Sequence, residues 1–393
     1  MEGGVTMRQA RVFFYVQHLL GIGHLARASR IADALAADGF DVTVVTGGTP
    51  VPGFPAAGIK HVALPPVVAG DKGFSGLADG EGNPVDDDFK ARRRDMLLEA
   101  FGECDPDVVI FEAFPFGRRQ MRFELMPLLE RIEATSPRPL VATSLRDILQ
   151  ERNKPGRAEE MLALVQAHFD LVLVHGDPAF ARIEETFPFA HEIADKVAYT
   201  GLVAGSPPAA PSEHFDVLVS AGGGAVGKEL IGAGLEAAKL LPAELSWCLI
   251  TGPNLPQADY DAFEASAPGN AKLFRFRRDF ASLLSGARLS VSQAGYNTVC
   301  DIIRAGCASL LVPFTAGGET EQTTRALRLE KLGLAGVLPE SEVTPARLAH
   351  HVETQLTRAK PAMPPLDLEG AAHTAAILRE RLSLMPVRPS RSA

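Results

Sequence analysis

Residues 11–46 read RVFFYVQHLLGIGHLARASRIADALAADGFDVTVVT, and this stretch decides the fold. RVFFYV at 11–16 is a short β-branched and aromatic run, the composition of a strand buried on both faces. Gly21 and Gly23 then break the chain, and Leu25, Ala28, Ile31 and Leu35 recur at helical spacing. Gly39 stops that helix before a second strand, DVTVVT, at 41–46. Strand, glycine turn, helix and strand in this order make the building block of a doubly wound α/β sheet.

The same unit recurs outward along the chain. Buried strands are predicted at 107–111, 139–143 and 170–174, separated by helical patterns. AGSPPAAPSE at 204–213 is small, polar and proline-rich, as an interdomain linker is. A second set follows, with strands predicted at 216–220, 246–250, 271–275, 289–292 and 309–312, and a helix carrying Leu230, Ile231, Leu235 and Ala238 on one face. The 393 residues thus predict two Rossmann-like α/β domains, 10–205 and 214–360. Pro361, Pro364 and Pro365 precede a last helix at 366–384, expected to pack back on the N-terminal domain. Residues 70–95, with their glycines, Asp86, Asp87, Asp88 and Arg92, Arg93, Arg94, show little apolar periodicity and read as a long, mobile loop.

Composition excludes several classes. The formal charge of −9 opposes a nucleic-acid binder, whose footprint is strongly basic. Cys104, Cys248, Cys300 and Cys307 form no CxxC pair and no zinc-spaced cluster, so they read as reduced thiols, and no metal site is expected. The N-terminus lacks the pattern of a signal peptide, and its most apolar run, 12–16, is far too short to span a bilayer. These features predict a cytoplasmic protein without a transmembrane segment and leave peripheral membrane contact open.

Four loops can carry chemistry. Gly21-Ile22-Gly23-His24 joins the first strand to the first helix, where glycines allow close backbone approach and the helix end offers free N–H groups. His24 there either faces a ligand or merely caps the helix. Ser220-Ala221-Gly222-Gly223-Gly224-Ala225 ends a strand and opens a helix, which suits a nest for a diphosphate. The third loop runs from Ser292 to Asp301; Gly295 turns the chain, Asn297 or Thr298 is expected to cap a helix ending before Gly306, and Asp301 falls about one turn in. Asp301 is placed to accept from a ribose diol, although an acid there also complements the helix dipole. The fourth is Gly317-Gly318-Glu319-Thr320-Glu321-Gln322, whose Glu321 and Gln322 suit either sugar hydroxyls or helix capping.

Together these pieces resemble the MurG-type (family 28) glycosyltransferases and, within them, a MurG-like group of predicted glycosyltransferases. The most specific block runs from Ser292 to Gln322 and on to Arg325-Ala326. The resemblance implies a GT-B fold, with two Rossmann-like domains facing across a cleft, a C-terminal domain that binds a nucleotide sugar, most simply UDP-linked, and an N-terminal domain for the acceptor. It implies that Asp301 stands for the family's ribose-binding glutamate and that Glu321 and Gln322 read the donor sugar. Gly222, Gly223 and Gly224 would hold the diphosphate with Gly295, Asn297 and Thr298 nearby, and Phe276 and Phe280 would enclose the uracil. His24 matches the histidine of the family's N-terminal glycine loop.

The expected chemistry is inverting, metal-independent transfer to an unknown acceptor, with the nucleotide sugar as co-substrate and no further cofactor. His24 is the first choice of base, Glu112 at the end of strand 107–111 the second, and His18 the third. Arg118 and Arg119 suit an anionic acceptor or a solvated surface. A nucleotide-sugar hydrolase or epimerase of the same fold, and a non-catalytic nucleotide-sugar sensor, are the rival readings.

Overall fold

The computed structural model describes residues 9–19, 22–51, 53–70, 73–150, 155–222, 227–358 and 365–385. They fall into two compact units, the first reaching Val203 and resuming at Glu369, the second spanning Ala204–Leu368.

The first unit is built on β1 (Arg11–Val16), α1 (Gly23–Ala37), β2 (Asp41–Thr46) and β3 (Lys60–Ala63), then a hairpin of β4 (Val67–Gly70) and β5 (Gly73–Asp79). It continues through α2 (Asp87–Cys104), β6 (Val108–Glu112), α3 (Arg122–Glu133), β7 (Leu140–Arg146), α4 (Arg157–His168), β8 (Leu171–His175) and β9 (Val197–Tyr199). Seven strands pair in the order β3-β2-β1-β6-β7-β8-β9, all parallel. Phe13, Tyr15, Val109, Phe111, Val141 and Val172 fill one side of the sheet against Leu97 and Phe101 of α2 and Leu125, Leu128 and Ile132 of α3. The C-terminal helix, Gly370–Ser383, returns to this unit: Val203 bridges Glu369, His373 Nδ1 pairs with the Thr200 carbonyl at 3.0 Å, and Arg379 binds Asp38. Gly370 is required there, because a Cβ would lie 2.3 Å from the Gly201 oxygen.

Residues 70–95 correct the expected mobile loop: they hold the β4–β5 hairpin and the start of α2. Asp86 caps α2 through the Phe89 N–H, and Asp87 and Asp88 sit in its first turn, where acids complement the helix dipole. The apolar stripe was hidden because its first buried residue is Arg93, followed by Leu97, Ala100 and Phe101. Arg93 is fully buried in an ion pair with Glu124, at 2.8 Å, and Tyr15 donates to the same carboxylate at 2.5 Å.

The second unit repeats the plan: β10 (Val217–Ser220), α5 (Lys228–Leu240), β11 (Trp247–Ile250), α6 (Gln257–Ser266), β12 (Ala271–Phe274) and α7 (Phe280–Gly286). Then follow β13 (Leu289–Ser292), α8 (Tyr296–Ala305), β14 (Ser309–Leu311), α9 (Glu321–Lys331), β15 (Ala335–Val337) and α10 (Pro345–Leu356). Its parallel order is β12-β11-β10-β13-β14-β15. Trp247, Val219, Val291 and Leu310 pack against Ile231 and Leu235 of α5 and Leu348 and Val352 of α10. Gly306, in the left-handed region at φ +60°, stops α8 as expected. Its start differs: Gly295 occupies the cap in extended conformation and makes no side-chain cap bond, so Asn297 and Thr298 lie inside the first turn. Among the described residues no helix is long and apolar enough to cross a membrane.

Candidate functional site

In each sheet the chain leaves a central strand outward, returns, and leaves again on the other side. That switch point lies between β1 and β6 in the first unit and between β10 and β13 in the second. Ligands of open α/β sheets bind outside the strand ends at such points. His24, in the first turn of α1 after β1, and Glu112, the last residue of β6, flank the first of them.

The two touch: His24 Nδ1 lies 2.8 Å from Glu112 Oε1. Glu112 is fully buried and its carboxylate accepts two further bonds, from Arg27 on Oε1 and from the Ser144 hydroxyl on Oε2 at 2.7 Å. Burial alone would raise its pKa; Arg27, then His24 and Ser144, outweigh it and bring the carboxyl down to about 2. An ionised Glu112 can only accept, so His24 carries its proton on Nδ1 and presents Nε2 as a base. Burial, with the Arg118 guanidinium behind it, lowers the His24 pKa to about 3 despite Glu112, so the imidazole is neutral at neutral pH. Behind the pair the bonding continues inward. The Ser144 oxygen lies 2.9 Å from His175 Nε2, and His175 Nδ1 lies 2.8 Å from Thr200 Oγ1. Ser144 donates to Glu112, and the Thr200 hydroxyl donates to the Gly201 carbonyl at 2.9 Å. Burial holds His175 neutral as well, at about 3.

The two candidate acceptor-side arginines part ways. Arg118, at φ +58°, donates through Nε to the Gln17 carbonyl at 2.6 Å, and burial lowers its pKa to about 10, leaving it charged. Arg119 is exposed and pairs with Glu160. His18, the third candidate base, is buried two residues after β1 and makes no hydrogen bond with His24 or Glu112. Gly23 opens α1; Gly21 lies outside the described residues.

In the second unit, Gly222 takes φ +74° just after β10, which suits glycine, and its N–H lies 3.4 Å from the Ser220 hydroxyl; Gly223 and Gly224 lie outside the described residues. Ser220 and Ser292 are register partners, so Gly222 and the Gly295 loop leave adjacent strands. Asp301 is half-buried in α8. Glu321 is buried and ion-paired with Arg325 at 2.7 Å, and Arg325 donates to the Ala294 carbonyl at 3.0 Å, so this pair fixes the loop that opens α8. Gln322 Oε1 accepts from the Phe314 N–H at 3.2 Å. Phe276 is 61% exposed between β12 and α7, and Phe280 is half-buried at the start of α7.

Residues 217–372 match the glycosyltransferase family 28 C-terminal domain. The chain is 28% identical over 90% of its length to a UDP-N-acetylglucosamine–N-acetylmuramyl-(pentapeptide) pyrophosphoryl-undecaprenol N-acetylglucosamine transferase of Sphingopyxis alaskensis, covering 84% of it. It is 28% identical over 85% of its length to the transferase of the same name from Phenylobacterium zucineum, covering 87%. A Thermotoga neapolitana relative is 27% identical over 46% of the chain, which spans about half of that protein (51%). This chain is a MurG-like glycosyltransferase. Its fold is GT-B: the crystal structure of Acinetobacter baumannii MurG superposes with TM-score 0.61 at 17% identity over 94% of this chain and 99% of that one. A calicheamicin glycosyltransferase does so with TM-score 0.60 at 19% identity, over 96% and 95%.

The MurG-like transferase also places around this pair residues that its sequence did not single out. Arg27 sits one turn after His24, a spacing that puts both on one helix face, and this was the available signal. Ser144, His175 and Thr200 come from three separate strand ends, which only the sheet order brings together.

Proposed function

We propose that this MurG-like enzyme transfers a glycosyl group, with inversion and without a metal, from a UDP-linked sugar to an acceptor hydroxyl. The observation that carries the reading is a neutral imidazole, His24, hydrogen-bonded at 2.8 Å to the buried, ionised Glu112 carboxylate at the switch point of the first sheet. His24 Nε2 takes the proton as the acceptor oxygen attacks the anomeric carbon, and the imidazolium that forms is stabilised by Glu112. The nucleotide diphosphate leaves with its charge met by backbone N–H groups after β10 and by the N-terminus of α8. Asp301 binds the ribose. The relatives' printed names make UDP-N-acetylglucosamine the first donor to test.

The test is UDP release from that donor with a panel of hydroxylated acceptors, alongside NMR of the product's anomeric configuration. The expected result is acceptor-dependent release with inversion, unaffected by EDTA. His24→Ala is expected to lose ~10²-fold or more in turnover while still binding UDP. Equal release of free sugar with and without acceptor would favour a hydrolase instead, and full turnover by the variant would remove His24 from the base role.

A further inference from the structure

The strands β6, β7, β8 and β9 are successive neighbours in the first sheet. Each sends one polar side chain into the interior: Glu112, Ser144, His175 and, directly after β9, Thr200, all fully buried. Apolar side chains would fill this space with no polar groups to desolvate, so packing alone does not account for a serine, a histidine and a threonine in series.

The Ser144 hydroxyl has one proton and two acceptors in reach, Glu112 Oε2 at 2.7 Å and His175 Nε2 at 2.9 Å. Which one it serves depends on His175, whose neutral ring carries a single proton. With that proton on Nε2, His175 donates to the Ser144 oxygen and the serine gives its own proton to Glu112. With it on Nδ1, Nε2 becomes an acceptor that competes with Glu112 for the serine. On the far side the Thr200 oxygen lies 2.8 Å from Nδ1, and its hydroxyl donates to the Gly201 carbonyl at 2.9 Å. One ring proton cannot serve both neighbours, and the shortfall settles where it costs less. A bond to an ionised carboxylate is roughly twice as strong as one to a neutral carbonyl. The ring proton therefore sits on Nε2, and Thr200 shares its own between Nδ1 and Gly201.

The Ser144 bond also decides what Glu112 does. Oε1 takes both His24 and Arg27, and a guanidinium favours gripping both oxygens of a carboxylate. The terminal torsion of a glutamate is soft, so the side chain alone does not prevent this. Ser144 on Oε2 does, and it leaves Oε1 turned to His24 Nδ1. The outer end of the series is fixed as well. The Thr200 N–H donates to the Val174 carbonyl at 3.0 Å, and the Thr200 carbonyl pairs with His373 of the C-terminal helix at 3.0 Å.

We propose that Ser144 and His175 are positioning residues for the transfer: His175, with its proton on Nε2, commits the Ser144 hydroxyl to Glu112, and that bond keeps the carboxylate on His24. The inference deepens the transferase reading and rests on His24 as its base.

Two measurements test it. Nitrogen-15 NMR of the histidine-labelled chain near neutral pH reads the tautomer of each ring with no acceptor present. UDP release from UDP-N-acetylglucosamine across the panel of hydroxylated acceptors reads turnover. The wild-type chain is expected to show His24 protonated on Nδ1 and His175 on Nε2. Ser144→Ala should turn His24 into a mixture of tautomers and lower kcat about tenfold or more, the scale of a misplaced catalytic group, with UDP affinity unchanged. His175→Leu should act in the same way. His175→Gln, whose amide can donate to Ser144, should restore the His24 tautomer and most of the turnover. A purely structural role would move the melting temperature and leave the His24 tautomer alone, and that result would overturn the proposal. So would a wild-type His175 protonated on Nδ1, or a His24 tautomer unmoved by both Ser144→Ala and His175→Leu. A wild-type chain that binds no UDP, or full turnover in His24→Ala, would strike the transferase reading on which the proposal rests, whatever the tautomers.

Discussion

His24 and Glu112 change meaning once their contact is known. As separate candidates they compete for one role; joined at 2.8 Å, they take two in the proposed mechanism, His24 as base and Glu112 orienting it. With the imidazole held down to about 3, kcat/KM should show no acid limb near pH 6.5, the unperturbed histidine value. A limb between pH 6 and 7 that disappears in His24→Ala would contradict this. Arg118 is the largest charge acting on His24, so Arg118→Met should raise the imidazole pKa, read from its NMR titration. Glu112→Gln cannot stabilise an imidazolium and should cut turnover more than UDP affinity.

Among the elements, β1, α1 and β2 were legible because burial on both strand faces and one helix face leaves an unbroken apolar signal in the sequence. The strand at 11–16 and that at 41–46 agree with the structure residue for residue. β3, with the burial pattern of an edge strand, and the three-residue β9 and β15 carry too little apolar pattern to stand out. α2 failed for another reason, since a buried arginine paired with Glu124 looks like surface charge until its partner, 31 positions away, is known. The site divides in the same way: His24 and Glu112 announce themselves at strand ends, whereas Ser144, His175 and Thr200 become neighbours only through the sheet. The Glu321–Arg325 pair yields an expectation at this scale. Removing one partner of a buried ion pair costs ~3–5 kcal/mol, and here it also frees the Ala294 loop. Arg325→Met should therefore lower the thermal midpoint and weaken UDP binding together; weakened binding at an unchanged midpoint would show that the pair does not hold the loop.

For the whole molecule, acid is the informative stress. His24 and His175 are held at about 3, below the roughly 6.5 of an unfolded chain, so the unfolded state binds more protons between those values. Their contribution is full above pH 6.5 and is lost as the pH falls toward 3. Glu112, at about 2 against roughly 4.3 unfolded, adds a loss in the same direction below pH 4.3. The melting temperature should fall between pH 7.5 and 5.0, and His175→Gln, which cannot take the proton, should flatten that fall. An unchanged midpoint across this range would remove the buried histidines from the stability of the first unit.

The central claim, that the second unit of a glycosyltransferase carries the donor, is tested most directly by titrating UDP-N-acetylglucosamine into the chain calorimetrically. The account expects one site per chain, unaffected by EDTA, at least tenfold weaker in Asp301→Ala and unchanged in His24→Ala. No binding, or binding that is lost with His24 and indifferent to Asp301, would contradict it.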